Sequence, residues 1–189
     1  MAHTPESPDL ADIAAAPVEG VGSDDLAATG APTFDAAHFR AVVGHFATGI
    51  AIVTGIDESE PVGLTCQSFI SMSLDPPLVG FSPAKSSTSW PRIARSGAFC
   101  VNVLTEDQEE VCRVFATTGA DKFRGVGWRA GESGSPILND SLAWVDCRIE
   151  HEYEAGDHVI VVGRVLELDS ARSGRPLLFY RAGYGRFEA

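Results

Sequence analysis

The sequence predicts a mainly β fold, an antiparallel barrel with a few short flanking helices. Three observations carry that expectation. Strand-length runs rich in Val, Ile, Phe and Thr dominate from residue 49 onward. Most links between them are short and hold Gly, Pro or Asp, as hairpin turns do. No regular strand–helix alternation runs through the chain, and a doubly wound parallel sheet needs one. The pattern gives about six or seven strands and three short helices.

The elements follow in order. Residues 1–32 are rich in Ala, Gly, Pro, Ser and acid and hold no aromatic residue. Such a composition cannot offset the entropy of ordering, so a disordered tail is expected there, followed by one domain over 33–189. Phe34, Phe39, Val42, Val43 and Phe46 approximate one face of a helix over about 34–46, with Thr33 as N-cap. Gly49 to Ile56 is β-branched and reads as strand, and Asp57-Glu58-Ser59-Glu60-Pro61 as a turn. Pro61 to Phe81 reads as strand, polar bend, then strand from Leu78. Ser86 to Ser96 is a short helix, with Ser89 as cap, Pro91 in the first turn and Gly97 closing it.

Ala98 to Leu104 is the next strand. Thr105-Glu106-Asp107-Gln108 matches a capping box for a helix that buries Val111, Val114 and Phe115. Thr117 to Ser135 is glycine-rich and irregular. Two long strands, Ala143–Glu154 and His158–Leu168, flank the turn Ala155-Gly156-Asp157, and Leu177–Tyr180 is the last strand.

Composition narrows the function. The chain has 189 residues, 44% of them hydrophobic, which suits one domain with a sizeable core plus a tail. Half of the formal net charge of -12 lies in the first 33 residues, where Glu6, Asp9, Asp12, Glu19, Asp24 and Asp25 stand without a Lys or Arg. The rest is mildly acidic, which argues against a nucleic-acid partner. Cys66, Cys100, Cys112 and Cys147 form no CxxC pair and no zinc spacing with histidine, so a reduced, cytoplasmic protein without a metal is expected. No secretory signal and no apolar run near the ~20 residues of a membrane helix is seen. A helix-opening GxGxxG, a nucleophile elbow and an HExxH are all missing.

Pro61 to Phe81 is the most informative stretch. It starts and ends like strand, yet Thr65, Gln67, Ser68, Ser71 and Ser73 stand where a buried strand carries Val or Ile. Each unpaired polar group in a core costs roughly 1–3 kcal/mol. These groups therefore pair with backbone at an irregular edge or meet a polar ligand, and the stretch suits the wall of a flat, hydrogen-bonding cofactor. Asp75-Pro76-Pro77 ends it, since proline supplies no ladder donor. Lys85-Ser86-Ser87-Thr88 gathers a cation and three hydroxyls before a short helix, either a phosphate seat or a solvated loop with an ordinary cap. His158 opens a strand, where it meets a ligand or faces water. Asp121-Lys122-Phe123 and the Tyr180, Arg181, Tyr184 cluster set cations beside rings, as ligand-covering or simply packed groups. No pair of catalytic carboxylates stands out, and the polar residues suit the orientation of a cofactor that brings its own chemistry.

Seven motifs, in order, resemble the flavin reductase-like family over about Phe34 to Phe187. They are Phe46-Ala47-Thr48-Gly49, Gly63-Leu64-Thr65-Cys66-Gln67-Ser68-Phe69, Ser71-Met72-Ser73-Leu74-Asp75-Pro76-Pro77-Leu78-Val79, Phe99-Cys100-Val101-Asn102-Val103-Leu104, Asp121-Lys122-Phe123, Gly156-Asp157-His158 and Tyr180-Arg181-Ala182-Gly183-Tyr184-Gly185. The resemblance implies a Greek-key split barrel, usually a homodimer, that passes hydride from NADH (or NADPH) to FMN or FAD and hands reduced flavin to a separate monooxygenase component. It implies that Thr65, Cys66, Gln67 and Ser68 line the isoalloxazine and ribityl chain, with Thr48, Ser71 and Ser73 as further cofactor-side residues. Ser86, Ser87 and Thr88 match the phosphate region, with Lys85 beside them as a cofactor-side residue, and Phe115, Ala116, Lys122 and Phe123 match other flavin-side positions. His158, as a nicotinamide-orienting candidate, and the Arg181/Tyr184 corner match the nicotinamide side. The competing readings are a flavin- or haem-binding split-barrel module without turnover and an oxidase that retains FMN. The Gly156-Asp157-His158 and Tyr180–Gly185 motifs favour the reductase.

Overall fold

The computed structural model describes residues 33–188; the expected disordered tail over 1–32 lies outside them. The chain divides into one unit that ends at Phe39 and a second from Arg40 to Ala189. Between Ala36 and Val43 runs α1, and its cap is Asp35 rather than the expected Thr33. The Asp35 carboxylate accepts the His38 amide at 2.7 Å. The helix stops short of 46 because the amides of His45 and Phe46 turn back to the carbonyls of Val42 and Val43, in tight three-residue closures. Val42, Val43 and Phe46 stay exposed.

Next come β1 (Thr48–Gly49), β2 (Ala51–Asp57), β3 (Glu60–Cys66), β4 (Ile70–Leu74) and β5 (Pro77–Phe81). Helix α2 (Trp90–Ala94) precedes β6 (Ala98–Val103), and α3 (Glu109–Ala116) precedes the short pair β7 (Trp128–Ala130) and β8 (Pro136–Leu138). The long strands β9 (Ala143–Ala155) and β10 (His158–Ser170) are followed by β11 (Leu177–Tyr180) and β12 (Gly183–Arg186). Seven of these form one sheet in the order β3-β2-β6-β9-β10-β5-β4, and every pair in it is antiparallel.

Side chains of β2 alternate between two apolar clusters, so the strand is covered on both faces. Ala51 and Val53 join Val62 and Leu64 of β3, Val79 and Phe81 of β5, Phe99 and Val101 of β6 and Val161 of β10. Strands β3 and β5 stand far apart in the sheet order yet share this cluster, so the sheet curls. Among the described residues no ladder joins the edge strands β3 and β4, and the barrel stays split. Helix α2 adds Trp90 and Ile93 to the same cluster. Ile50 and Ile52 face the other way, onto Leu104, Leu138, Leu177 and the α3 residues Cys112 and Phe115. The expected α3 face was Val111, Val114 and Phe115; Val111 and Val114 are only half-buried, and the small thiol of Cys112 takes the covered position.

Three further differences have physical causes. The expected polar bend contains a strand, β4, which tolerates Ser71 and Ser73 because an edge strand keeps one side open to water. The glycine-rich stretch from Thr117 to Ser135 is not wholly irregular: β7 pairs with β8, which is pinned to the sheet by buried Asn102. Asn102 accepts the Leu138 amide at 2.7 Å and donates to the Pro136 carbonyl at 3.3 Å and to Thr54 Oγ1 at 3.1 Å. Half of the capping box forms, with Gln108 Oε1 accepting the Thr105 amide at 3.1 Å, while the Thr105 hydroxyl turns to Asp107 instead. Among the described residues, no helix is long and apolar enough to cross a membrane.

Candidate functional site

Where β3 ends, its backbone leaves the ladder. The last β2–β3 pair is Ala51 with Cys66, and among the described residues no backbone carbonyl takes up the amides of Gln67, Ser68 and Phe69. Gln67 and Ser68 border a cavity of about 540 Å³, within the usual range for a small-molecule site. Its walls are Leu64 to Ser68, the loop after β5 from Ser82 to Ser89, the end of α3 with Lys122, and His158.

Each wall is held by a specific contact. The Thr65 hydroxyl donates to the Cys112 carbonyl at 2.8 Å and ties β3 to α3. Ser68 Oγ accepts the Ser82 amide at 2.8 Å and so joins the two sides of the cleft mouth. The Ser82 hydroxyl reaches the Val159 carbonyl at 2.9 Å, and the Val159 amide donates to the Pro83 carbonyl at 3.0 Å. A bridge between Ala84 and His158 completes this docking of loop on strand. Phe115 lines the cleft with its ring laid against Gly63. A Cβ built there would lie 2.5 Å from Phe115 Cε1, so the position requires glycine.

Charge is sparse and local. The Lys122 ammonium donates to the Gly63 carbonyl at 3.0 Å and to Ser89 Oγ at 3.1 Å, and burial pushes its pKa down. Burial pushes the Cys66 thiol up, so it stays neutral, with Sγ 3.3 Å from Ser68 Oγ. His158 Nδ1 lies 2.7 Å from Asp157 Oδ1, and this hydrogen bond holds the Asp157 carboxyl below its usual range. Ser87 Oγ accepts the Trp90 amide at 3.1 Å and caps α2, whereas the Ser89 side chain, the expected cap, makes no such bond.

The fold brings eleven of the sequence-predicted residues to this cavity: Thr65, Cys66, Gln67, Ser68, Ser86, Ser87, Thr88, Phe115, Ala116, Lys122 and His158. Seven stand elsewhere. Phe123 lines a second cavity, of about 630 Å³, that shares Thr88, Ser89 and Lys122 with the first. Lys85 pairs with Glu154 outside the lining. Ser71 and Ser73 belong to β4. Thr48, Arg181 and Tyr184 lie in or beside the separate β1-β11-β12 sheet. There the Tyr184 ring packs on Phe179 and under the Arg113 guanidinium, and its hydroxyl lies 3.4 Å from Cys112 Sγ. That contact, with burial, pushes the phenol up to about 12.

Sequence reasoning missed Leu64, Ser82, Pro83, Ala84, Ser89 and Thr118. Ser89 had a signal, since it extends the hydroxyl run Ser86-Ser87-Thr88, but it was assigned to the helix cap. Ser82 had none, because its role comes from docking on Val159, far along the chain. The assembled site offers backbone amides, hydroxyls, one ammonium, an aromatic wall and an imidazole. Such groups bind and orient a polar, planar ligand.

Known proteins resemble this chain over most of its length. A family model described as "Flavin reductase like domain" matches residues 43–188. The reductase subunit HsaB of a flavin-dependent monooxygenase from Rhodococcus jostii (strain RHA1) is 50% identical over 161 residues, 85% of this chain and 83% of that protein. The crystal structure of a nitrilotriacetate monooxygenase component B homologue from Mycobacterium thermoresistibile is 48% identical, with a TM-score of 0.78 over 80% of this chain and 86% of that one. The Streptomyces globisporus C-1027 NADH:FAD oxidoreductase SgcE6, solved in complex with NAD and FAD fragments, is 37% identical, with a TM-score of 0.77 over 82% of this chain and 93% of that one.

Proposed function

The chain belongs to the flavin reductase-like family, and from that premise we propose how its cleft works. The protein is an oxidoreductase that passes hydride from NADH to FMN or FAD and supplies reduced flavin to a separate monooxygenase component. The observation that carries the site assignment is the departure of the chain from the β3 ladder after Cys66, which sets Gln67 and Ser68 on a hydroxyl-lined cavity with one cation. That donor set fits a flavin, whose ring edge accepts hydrogen bonds and whose tail carries phosphate.

Bound flavin supplies the hydride-accepting chemistry, and NADH the hydride. The residues of the chain do the rest. The amides after Cys66 hold the polar ring edge and stabilise negative charge that grows there. Ser86, Thr88 and the Lys122 ammonium hold the phosphate, while Ser87 is already engaged with Trp90 and contributes less. Phe115 and Ala116 wall the ring and exclude water. His158, fixed by Asp157 and by the bridge to Ala84, orients the nicotinamide. Within one chain, Thr48, Ser71, Ser73, Lys85, Arg181 and Tyr184 are given no flavin contact.

The working form is a homodimer in the cytoplasm. Edge strand β4 supports the dimer: Ile70, Met72 and Leu74 are all exposed, and Leu74 is 90% so. Light scattering on the purified chain tests this, and a monomer at micromolar concentration overturns it. The catalytic reading is tested by following NADH absorbance with and without FMN, FAD or riboflavin. Flavin-dependent NADH loss is expected; its absence overturns the reductase, and a flavin that never exchanges points to an FMN-retaining oxidase.

A further inference from the structure

Cys112, Arg113 and Tyr184 meet where α3 packs against β12, outside the lining of the first cavity. The Tyr184 hydroxyl lies 3.4 Å from Cys112 Sγ. The Arg113 guanidinium stands over the Tyr184 ring, 4.5 Å from its centre, where a cation is attracted by the ring face. Glu109 Oε1 accepts from Arg113 Nη2 at 2.6 Å and from Nε at 3.0 Å, so the guanidinium is itself held in place. Phe179 meets the same ring edge to face, with centres 5.4 Å apart. The phenol is thus fixed by its oxygen and by its ring.

Cys112 is anchored from two directions. Its thiol meets β12 through Tyr184, and its carbonyl accepts the Thr65 hydroxyl, which belongs to the cavity wall. Thr65 spends its only hydroxyl proton on that bond, so its oxygen faces the cavity as an acceptor. Three residues after Cys112, the Phe115 ring lies against Gly63 and lines the same cavity. Helix α3 has only eight residues, fewer than the about 12–15 that an isolated helix needs in water. Its seat is therefore set by what it packs against, and β12 is one of those supports.

We propose that Tyr184 and Cys112 are positioning residues for the flavin: the phenol on β12 sets the seat of α3 through the Cys112 thiol, and α3 sets Thr65 and Phe115 at the cavity wall. The proposal rests on the flavin reading of the cavity and adds two residues that act on it without touching the ligand. It gives Tyr184 a part in flavin binding although the residue stands outside the cleft. Cys112 is buried, so water does not replace the phenol oxygen when that contact is lost.

The test is a double-mutant cycle on the full chain, read by FMN fluorescence titration and by steady-state kinetics with each substrate varied. Tyr184→Phe removes the hydroxyl and keeps the ring under Arg113. Cys112→Ala removes the thiol and keeps the carbonyl that Thr65 uses. Cys112→Ser leaves a group that the phenol can still bond. Circular dichroism and thermal melts check that each variant folds. Tyr184→Phe and Cys112→Ala are each expected to raise the FMN Kd roughly fivefold, the size of one hydrogen bond. The loss appears in the flavin KM rather than in kcat or the NADH KM. The double variant should match the single ones, because both remove the same contact, and Cys112→Ser should recover most of the affinity. Additive losses overturn the proposal, as does an FMN Kd that neither single change moves, however far the melting point falls. A raised NADH KM with an unchanged FMN Kd in Tyr184→Phe sets the phenol directly on the nicotinamide and also overturns it. Failure of the wild type to bind any flavin removes the flavin reading itself, which separates that outcome from the others.

Discussion

Ser68 Oγ accepts the Ser82 backbone amide at 2.8 Å and its hydroxyl donates to the Ser82 carbonyl at 3.3 Å, so one side chain joins the free end of β3 to the loop that follows β5. Sequence offers no reason for the two serines to meet. They do so because β4 and β5 fold back as a hairpin and return the chain to the cleft mouth. Ser68→Ala leaves the Ser82 amide without its acceptor. The site is exposed, so water compensates in part, and a loss of about 1 kcal/mol is expected. Denaturant melts measure it, and flavin titration should show weaker binding because the mouth loosens.

Gly63 and Phe115 give a steric prediction. A methyl group at 63 meets the Phe115 ring at 2.5 Å, closer than real contacts allow. Gly63→Ala should cost about 1–3 kcal/mol, as overpacking does. Adding Phe115→Leu relieves the clash, so the double variant should be more stable than the sum of the single changes implies. Thermal melts of all four proteins close the cycle.

Lys122 is the one cation among the lining residues of the first cavity. Lys122→Met keeps the length of the side chain and removes its charge. Affinity for FMN should fall roughly tenfold while that for riboflavin, which has no phosphate, changes little. Parallel fluorescence titrations read the difference, and equal losses for both flavins would remove the phosphate from this position.

His158→Ala removes an imidazole held 2.7 Å from Asp157. The NADH KM should rise several-fold, with a smaller change in the flavin KM. Steady-state kinetics with each substrate varied in turn decide it. A loss confined to flavin places His158 on the wrong side of the cleft.

Asp57 supplies a pH prediction. Hydrogen bonds from Arg92, then Arg95, hold its carboxyl below the ordinary value of 3.8. The folded pKa is depressed, so its stabilising contribution is full above 3.8 and is lost as pH falls through the folded value. Asp57→Asn should therefore be less stable than wild type at neutral pH, and the gap should close below about pH 4. Melts across an acid series measure it; a gap that persists in acid means that packing, not charge, carries the contact.

Much of this was legible in the sequence because the signals were local. Runs of β-branched residues announced β2, β6, β9 and β10, a short apolar run announced β11, and the hydroxyl run at Ser86 to Thr88 announced a cavity wall. The illegible parts depend on distance. Lys85 stood in the plausible phosphate seat and Lys122 in a loop that could cover a ligand, and only the fold shows that Lys85 meets Glu154 while Lys122 reaches back to Gly63. β4 looked like a bend because strand preference changes at a sheet edge, where Ser71 and Ser73 cost little. β12 holds two glycines in four residues and has no pattern of its own; its pairing with β11 creates it, and that pairing carries Tyr184 away from the cleft. Tyr184 and Arg181 were grouped with the ligand by motif alone.

The cleft draws its walls from four separate stretches, near residues 66, 85, 116 and 158. No part of the chain can recognise the ligand before all of it has folded. Flavin then acts as a stabiliser of the native state alone, raising the melting point with the logarithm of its concentration. A protein whose task is to give its flavin away must bind it only moderately, so this reinforcement stays small and varies with supply. Its lifetime in a flavin-poor cell falls instead to the two apolar clusters on either side of β2, which ask nothing of the ligand.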